Sequence, residues 1–225
     1  MKSYVIASSK DWFSKHTKSS EFKDLNIIEI DSEKDLNYAF LKKLQPEYIF
    51  FPHWNSIVDE VIYSNFKCIV FHTAPLPYGR GGSPIQNLIL RGFKKSPLCA
   101  IEMTKVVDGG AVYCSEEISL EGKISEIFFN LANTVEKLIL KIINENPIPV
   151  RQVGDVVEFK RLKPEDSELD FSLLPDELFD RIRMVDGLDY PKAFKKIGKY
   201  NVKFSDASIK NGKLHASVEF SKDQE

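Results

Sequence analysis

The chain has 225 residues, enough for one well-buried domain or for one domain with a small appendage. Its formal net charge is −2 and its pI is about 6.1, which argues against a broad nucleic-acid-binding surface. The three cysteines are scattered, so the sequence indicates neither a disulfide framework nor a metal site. The N-terminal apolar run is shorter than expected for a signal peptide, and no apolar run approaches the length of a membrane span, so a cytoplasmic protein is expected.

The first half alternates short apolar runs with amphipathic stretches. Strands are predicted at residues 4–7, 25–30, 48–51 and 67–71, with helices from about residue 10, at 32–44 and at 57–64. Ser32 and Asp35 have the spacing of a capping box for the second helix. Continuous apolar strands joined by helices predict an α/β fold, a Rossmann-like and mostly parallel sheet with helices on both faces.

The second half has a different order of predicted elements. A helix is predicted at 83–91, β-rich runs at 98–107 and 111–120, and a long helix at 125–144. Residues 1–150 therefore form the expected main domain. Residues 151–225 form a charged connector and a small β-containing appendage, with a helix at 175–185 and short β pieces at 202–204, 207–209 and 214–220.

Ligands of open parallel sheets gather beyond the carboxyl ends of the strands. His72 directly follows the fourth predicted strand, where an imidazole is suited to acid–base work; the alternative is a structural histidine that caps the turn. The loop that follows contains Gly79, Arg80, Gly81 and Gly82, which fit neither a P-loop nor a dinucleotide fingerprint. Arg80 is either a clamp for phosphate or carboxylate or a solvated loop charge.

Two further residues have a structural and a functional interpretation. Asp108 is the first residue of an Asp-Gly-Gly sequence, which is typical of a tight turn in which glycine supplies positive φ. Trp54 follows the third predicted strand and either stacks on a flat ligand ring or fills the rim of the core.

Taken in order, these motifs resemble the folate-dependent formyltransferase superfamily, whose pattern has a strand ending Asn-x-His, a proline-containing loop, an Arg-Gly-x-x-Pro-Ile stretch and a Val-Asp-x-Gly turn. The resemblance covers roughly residues 3–145, with a weaker continuation at 159–166 and 183–194. The branch it most resembles is the sugar N-formyltransferases of flagellin-glycan pathways, on a UDP-linked 4-amino-4,6-dideoxy sugar related to pseudaminic acid. The matching stretches are Val70-Phe71-His72, residues 73–77, residues 79–86 and Val107-Asp108-Gly109-Gly110.

The resemblance implies N10-formyltetrahydrofolate as the formyl donor and His72 and Asp108 as the catalytic pair. It also implies a small-molecule nucleotide-sugar substrate, with no nucleic acid or membrane partner, and the small appendage suggests a homodimer. The expected folate-binding residues are Trp54, Ser56, Ile57, Val106, Val107 and Asp108. The expected acceptor-binding residues are Ser9, Lys10, His53, Gly79 and Arg80.

The chain departs from the family pattern at Val70, which occupies the position of the family asparagine and cannot donate a hydrogen bond. Loss of one such oxyanion donor costs about 10²–10³ in rate in other enzymes. Substitutes considered from the motif order are His53, Thr73 and Gln86. Because of this departure, a non-catalytic protein that binds folate or a sugar nucleotide remains an alternative. Two further alternatives are a formyltransferase for another small amine and a hydrolase that releases formate. A methionyl-tRNA formyltransferase would be expected to carry a larger and more basic C-terminal part.

Overall fold

The computed structural model describes residues 2–9, 13, 16–188 and 190–222. The chain forms two compact units, each built from three separate stretches. The first unit comprises Met1–Gly81, Ser96–Ile118 and Phe129–Glu158; the second comprises Gly82–Lys95, Ser119–Phe128 and Phe159–Glu225. The single division at residue 150 expected from the sequence stays a prediction.

A six-stranded sheet has the order β2-β1-β3-β4-β6-β7. Its four strands β2, β1, β3 and β4 are parallel to their neighbours, and β6 runs antiparallel to β4. The predicted α/β fold with a mainly parallel sheet is confirmed. The strands of this part of the chain are β1 (Ser3–Ser8), β2 (Asn26–Ile30), β3 (Tyr48–His53), β4 (Cys68–Thr73), β5 (Tyr78–Gly81), β6 (Lys95–Glu102) and β7 (Val112–Ser119).

The parallel strands are apolar on both faces because both faces are covered. In β3, five consecutive residues are buried, as expected for a strand inside such a sheet. Alternation places Ile49 and Phe51 on one face, where they join a buried cluster with Val5, Leu41 and Ile62. Tyr48 and Phe50 consequently lie on the other face.

Three helices follow the predictions closely and two do not. The helix expected at 32–44 begins only at Tyr38, and the Ser32–Asp35 capping box was wrong. The Asn37 side chain instead accepts a hydrogen bond from the Phe40 N–H at 2.9 Å. The helix expected at 57–64 is limited to four residues, and the one expected from residue 10 falls largely outside the described residues. The helices are α1 (Tyr38–Leu44), α2 (Glu60–Tyr63), α3 (Pro84–Ile89), α4 (Ile124–Glu145) and α5 (Pro175–Arg183).

Helix α4 is amphipathic as its sequence predicts. All five of the apolar residues expected on one face are buried, which is why a 22-residue helix forms here. In the described part of the chain, no helix combines the length and apolarity needed to cross a membrane. The buried residues are Ile127, Leu131, Val135, Leu138 and Ile142.

The second unit contains an antiparallel sheet of β9 (Phe194–Ile197), β10 (Tyr200–Lys210) and β11 (Lys213–Lys222), against which α5 packs. The two β pieces predicted at 202–204 and 207–209 are one strand. A register shift between Ser205 and Ser208, with Asp206 at φ 51°, interrupts the alternation and made them look separate. A further strand, β8 (Val157–Phe159), pairs with β5.

Candidate active site

His72 lies inside β4 rather than after it. It pairs with Cys99 of the antiparallel strand β6, and this pairing extends β4 to Thr73 although the apolar run stops at Phe71. The prediction of a loop histidine at the strand end was therefore wrong by two residues. His72 is only 7% exposed, so its imidazole is largely withdrawn from water.

Both nitrogens of the His72 ring have a partner. Nε2 lies 2.7 Å from the carbonyl oxygen of Gly79, and Nδ1 lies 3.4 Å from Oδ2 of Asp108. Because a carbonyl oxygen only accepts, Nε2 carries a proton and donates it. The other ring nitrogen, Nδ1, faces the Asp108 carboxylate. The fold thus brings together the two residues that the sequence predicted as a pair.

The backbone of Asp108 is in the left-handed region. Its φ is 50°, whereas neither Gly109 nor Gly110 has a positive φ, so the expectation that glycine supplies it here was wrong. The glycines are needed for space instead. A Cβ on Gly110 would stand 1.8 Å from the carbonyl oxygen of Glu102. The Asp108 carboxylate is further fixed by the N–H of Gly81, which donates to Oδ2 at 2.9 Å.

A residue that sequence reasoning missed completes this arrangement. The Nε2 of Gln152 donates to the main-chain oxygens of Asp108 and Gly110, both at 2.8 Å. Its Oε1 accepts from Nε and Nη2 of Arg80, at 3.0 and 2.7 Å. Gln152 lies in an irregular stretch far along the chain, and no local sequence pattern marks it.

Val70, at the position of the family asparagine, packs against the buried apolar cluster together with Trp54 and Met103. By strand alternation Thr73 lies on the opposite face of β4 from Val70 and His72, so it is not positioned to replace the asparagine. Gln86 lies on α3, in the other unit.

His53, the third considered substitute, ends β3 beyond a one-residue register shift. Ile6 pairs with Phe50 but Ser8 pairs with His53, so β3 carries one extra residue at this end. The shift aligns His53 with Ser8. A role for His53 stays a prediction.

The predicted folate-binding residues differ in exposure. The Trp54 ring packs edge-on against Phe51, with centroids 5.9 Å apart, and its buried Nε1 has no hydrogen-bond partner among the described residues. Ile57, Val106 and Val107 are 98%, 58% and 70% exposed. Exposed apolar side chains of this kind fit a flat ring that would cover them. Their assignment to folate stays a prediction.

The predicted acceptor-binding residues at the end of β1 are only partly described. Ser9 donates its N–H to the His53 carbonyl at 2.8 Å and accepts at Oγ from the Asn55 N–H at 3.1 Å. It thus ties the ends of β1 and β3 together. Lys10 lies outside the described residues.

The described residues contain no group of three or more histidine, cysteine or acidic side chains placed to hold a metal ion. The cysteines are protonated structural residues. Burial raises the pKa of Cys68 to about 12 and the pKa values of Cys99 and Cys114 to about 11.

Comparison with known proteins places this arrangement in a family. A family model described as "Methionyl-tRNA formyltransferase, C-terminal domain" matches residues 164–221. A solved structure named as methionyl-tRNA formyltransferase from Clostridium thermocellum is 39% identical, covers 99% of this chain and 100% of its own, and superposes with a TM-score of 0.92. The chain belongs to the formyltransferase family.

Within the formyltransferase family, named relatives differ in length and in acceptor. The methionyl-tRNA formyltransferase of Campylobacter lari is 37% identical over 148 residues, which are 64% of this chain and 49% of that protein. The chain thus spans about half the length of this curated relative. A sugar N-formyltransferase from a Shewanella species shares the fold over the whole of both chains, with a TM-score of 0.68 at 14% identity.

The predicted cofactor is confirmed at the level of the family, which uses N10-formyltetrahydrofolate. HypX from Aquifex aeolicus, which shares the fold with a TM-score of 0.78 at 16% identity, has been solved in complex with tetrahydrofolic acid. That match covers 91% of this formyltransferase chain and 37% of HypX.

Proposed function

We propose that this protein transfers the formyl group of N10-formyltetrahydrofolate to an amino group. The observation that carries the proposal is the contact between His72 Nδ1 and Asp108 Oδ2, at 3.4 Å, in a chain of the formyltransferase family. When bound, the folate supplies the formyl group; the protein has to stabilise negative charge on the formyl oxygen and to accept a proton from the amine.

His72 would act as the donor to the developing oxyanion. For this its Nε2–H would turn from the Gly79 carbonyl oxygen, 2.7 Å away in this structure, to the oxyanion, while Asp108 holds the ring at Nδ1. Because His72 and Asp108 are both largely buried, with side-chain exposures of 7% and 15%, water screens this interaction weakly. Asp108 would in addition accept the proton that the amine loses as the new N–C bond forms, and would pass it to the folate nitrogen from which the formyl group departs.

The acceptor that we propose is a nucleotide-linked amino sugar, in particular a UDP-linked 4-amino-4,6-dideoxyhexose. The net charge of −2 supports a small acceptor over a large polyanion. The presence of Arg80 supports an acceptor that carries an anionic group. A guanidinium has five N–H donors, and Gln152 receives two from Arg80, which leaves a further edge for a phosphate.

A second acceptor, methionyl-tRNA, is favoured by a specific observation in the C-terminal sheet. Between residues 192 and 213 the chain has seven lysines and one acidic residue, Asp206, a local excess of positive charge that the overall composition hides. The same stretch lies inside the segment that matches the C-terminal domain of methionyl-tRNA formyltransferase. The lysines are Lys192, Lys195, Lys196, Lys199, Lys203, Lys210 and Lys213.

One assay separates these possibilities. The purified protein is incubated with N10-formyltetrahydrofolate and, in parallel, with UDP- and dTDP-linked amino sugars, initiator methionyl-tRNA, or no acceptor, and products are identified by mass. We expect an amino-sugar nucleotide to gain the mass of one CO unit, because the formyl group replaces an amine hydrogen. Formylation of the tRNA alone would overturn the sugar assignment, and formate release without an acceptor would identify a hydrolase. Binding of 5-formyltetrahydrofolate without any transfer would identify a non-catalytic relative.

A further inference from the structure

We infer that Gln152 is a positioning residue that couples Arg80 to the His72–Asp108 pair. The inference rests on the proposed function and deepens it. It names a residue that contacts both Arg80, which is proposed to bind the acceptor, and the turn that carries Asp108.

The Gln152 amide uses its full hydrogen-bonding capacity. Its NH₂ group has two hydrogens, which go to the main-chain oxygens of Asp108 and Gly110, and its oxygen accepts two N–H groups of Arg80. The opposite amide orientation would set oxygen against two carbonyls and NH₂ against a guanidinium. Only a primary amide offers two donors and an acceptor in one plane, so a carboxylate of the same size cannot replace it.

On one side, Gln152 stabilises the backbone that presents the Asp108 carboxylate. Asp108 has φ 50°, a left-handed conformation that aspartate adopts more readily than most side chains but less readily than glycine, so contacts to its main chain help to hold it. The bond from Gln152 to the Asp108 oxygen holds it directly. The second bond holds Gly110, which has no room to move towards Glu102.

On the other side, Gln152 fixes the direction of the Arg80 guanidinium. The two bonds use the Nε–Nη2 edge, so the plane of the guanidinium is set before any ligand arrives. An anion bound at the remaining edge would therefore be placed relative to Asp108 through Gln152, in addition to the Gly81 N–H that donates to the Asp108 carboxylate.

Two substitutions separate these effects. Gln152→Glu keeps an acceptor for Arg80 but loses both donors, so the Asp108 turn is released. We expect kcat to fall about ten- to a hundredfold with the KM for the acceptor changed far less. Arg80→Lys keeps the positive charge but loses the two-bond contact. We expect it to raise the KM for the acceptor several-fold while kcat stays within a few-fold of wild type.

The matched control is Gln45→Glu. The Gln45 amide donates to the Lys42 carbonyl at 2.7 Å, the same type of bond, at the end of α1. This variant should keep kcat and both KM values within about twofold, as surface substitutions usually do. Thermal unfolding and binding of 5-formyltetrahydrofolate are measured for all variants, and a Gln152→Glu protein that loses kcat only in proportion to lost folding would contradict the inference.

A readout without turnover keeps this inference separate from the proposed function. If the wild-type protein formylates no acceptor, the proposed function fails, and the ¹⁵N imidazole signals of His72 then decide on Gln152. Gln152→Glu should shift these signals and Gln45→Glu should not. Unchanged His72 signals in Gln152→Glu would overturn the positioning role.

Discussion

The carbonyl oxygen of Gly79 holds the ring of His72 from the side opposite Asp108, with a distance of 2.7 Å to Nε2. Gly79 has φ 90°, a conformation that glycine adopts at little cost. Gly79, which the sequence predicts to bind the acceptor, also contacts the histidine ring through its main-chain oxygen. Because a carbonyl oxygen only accepts, this contact places a proton on Nε2.

Replacing His72 by Asn, or Asp108 by Asn, should lower kcat by about 10²–10⁴, because either change removes one half of the donor–carboxylate pair. Turnover is measured with the acceptor that the wild-type protein formylates. His215, an exposed histidine on β11, gives the matched control His215→Asn, which should leave kcat unchanged. Wild-type turnover in the His72 or Asp108 variant would refute the role of the pair.

Gly110→Ala should lower kcat at least tenfold, because the added Cβ would stand 1.8 Å from the Glu102 carbonyl oxygen and the Asp108 turn would have to move. Gly212→Ala is the control for glycine replacement as such, since nothing lies within 4 Å of the added Cβ there. It should cost about 1 kcal/mol of stability because of its positive φ, without a change in kcat. Equal kinetics for the two variants would show that the tight turn is not needed.

Val70→Asn restores the family residue but puts an amide against an apolar cluster. Because Val70 is partly buried against this cluster, we expect the free energy of unfolding to fall by roughly 1 kcal/mol, a part of the cost of burying a polar group without a partner. Val153→Asn, at a position that is 89% exposed, should change it by less than about 0.5 kcal/mol. Urea unfolding of both variants measures the difference. A Val70→Asn protein as stable as wild type would mean that a hydrogen-bond partner for the amide exists at this position.

Stability should fall in alkaline solution because of the buried thiols. Burial raises the pKa of Cys68 from its ordinary value of 9.0 to about 12 and that of Cys99 to about 11. The unfolded chain therefore releases these protons at lower pH than the folded chain. The stability contributed by the buried neutral thiols is complete below pH 9 and is lost as the pH rises through 11 and 12.

Above pH 9 we expect the free energy of unfolding to decrease by about 1.4 kcal/mol for each pH unit and each such thiol. Urea titrations between pH 8 and 10.5 measure how steeply the free energy of unfolding falls with pH. Cys68→Ala should make this slope less steep by the contribution of one thiol. A slope that this substitution leaves unchanged would contradict the assignment. The same burial predicts slow alkylation by iodoacetamide at pH 8 in native protein and rapid alkylation in urea.

Sequence patterns predicted the features that local periodicity controls. The parallel strands and the buried face of α4 follow from runs and spacings of apolar residues. His72 and Asp108 were predicted as a pair because their motifs stand in a known order, and the fold brings them within 3.4 Å. Boundaries that depend on distant partners were missed. The strand β4 extends to Thr73 because β6 pairs with it, and α1 starts late because Asn37 caps it in place of Ser32.

The hydrogen bonds and the backbone conformation that hold the site residues in place could not be predicted in the same way. Gln152 reaches Asp108 across 44 residues of chain through a side-chain amide, and such a bond leaves no periodic trace in the sequence. The positive φ of Asp108 is equally hidden, because the neighbouring glycines suggested that one of them would adopt it. Features held by long-range polar contacts become visible only in three dimensions.

The antiparallel course of β6 has a consequence for how this site tolerates change. Glu102 lies opposite Ile69, and Met103 donates its N–H to the Cys68 carbonyl, so the chain leaves β6 at the start of β4 and returns through residues 104–108 to reach the imidazole. Insertions or deletions in that return segment shift the carboxylate and leave the histidine in place. A one-residue insertion in β4 before His72 would instead turn the imidazole to the opposite face of the sheet. Length changes are therefore expected to be rare in both segments, since those in residues 104–108 displace the carboxylate and those in β4 displace the imidazole.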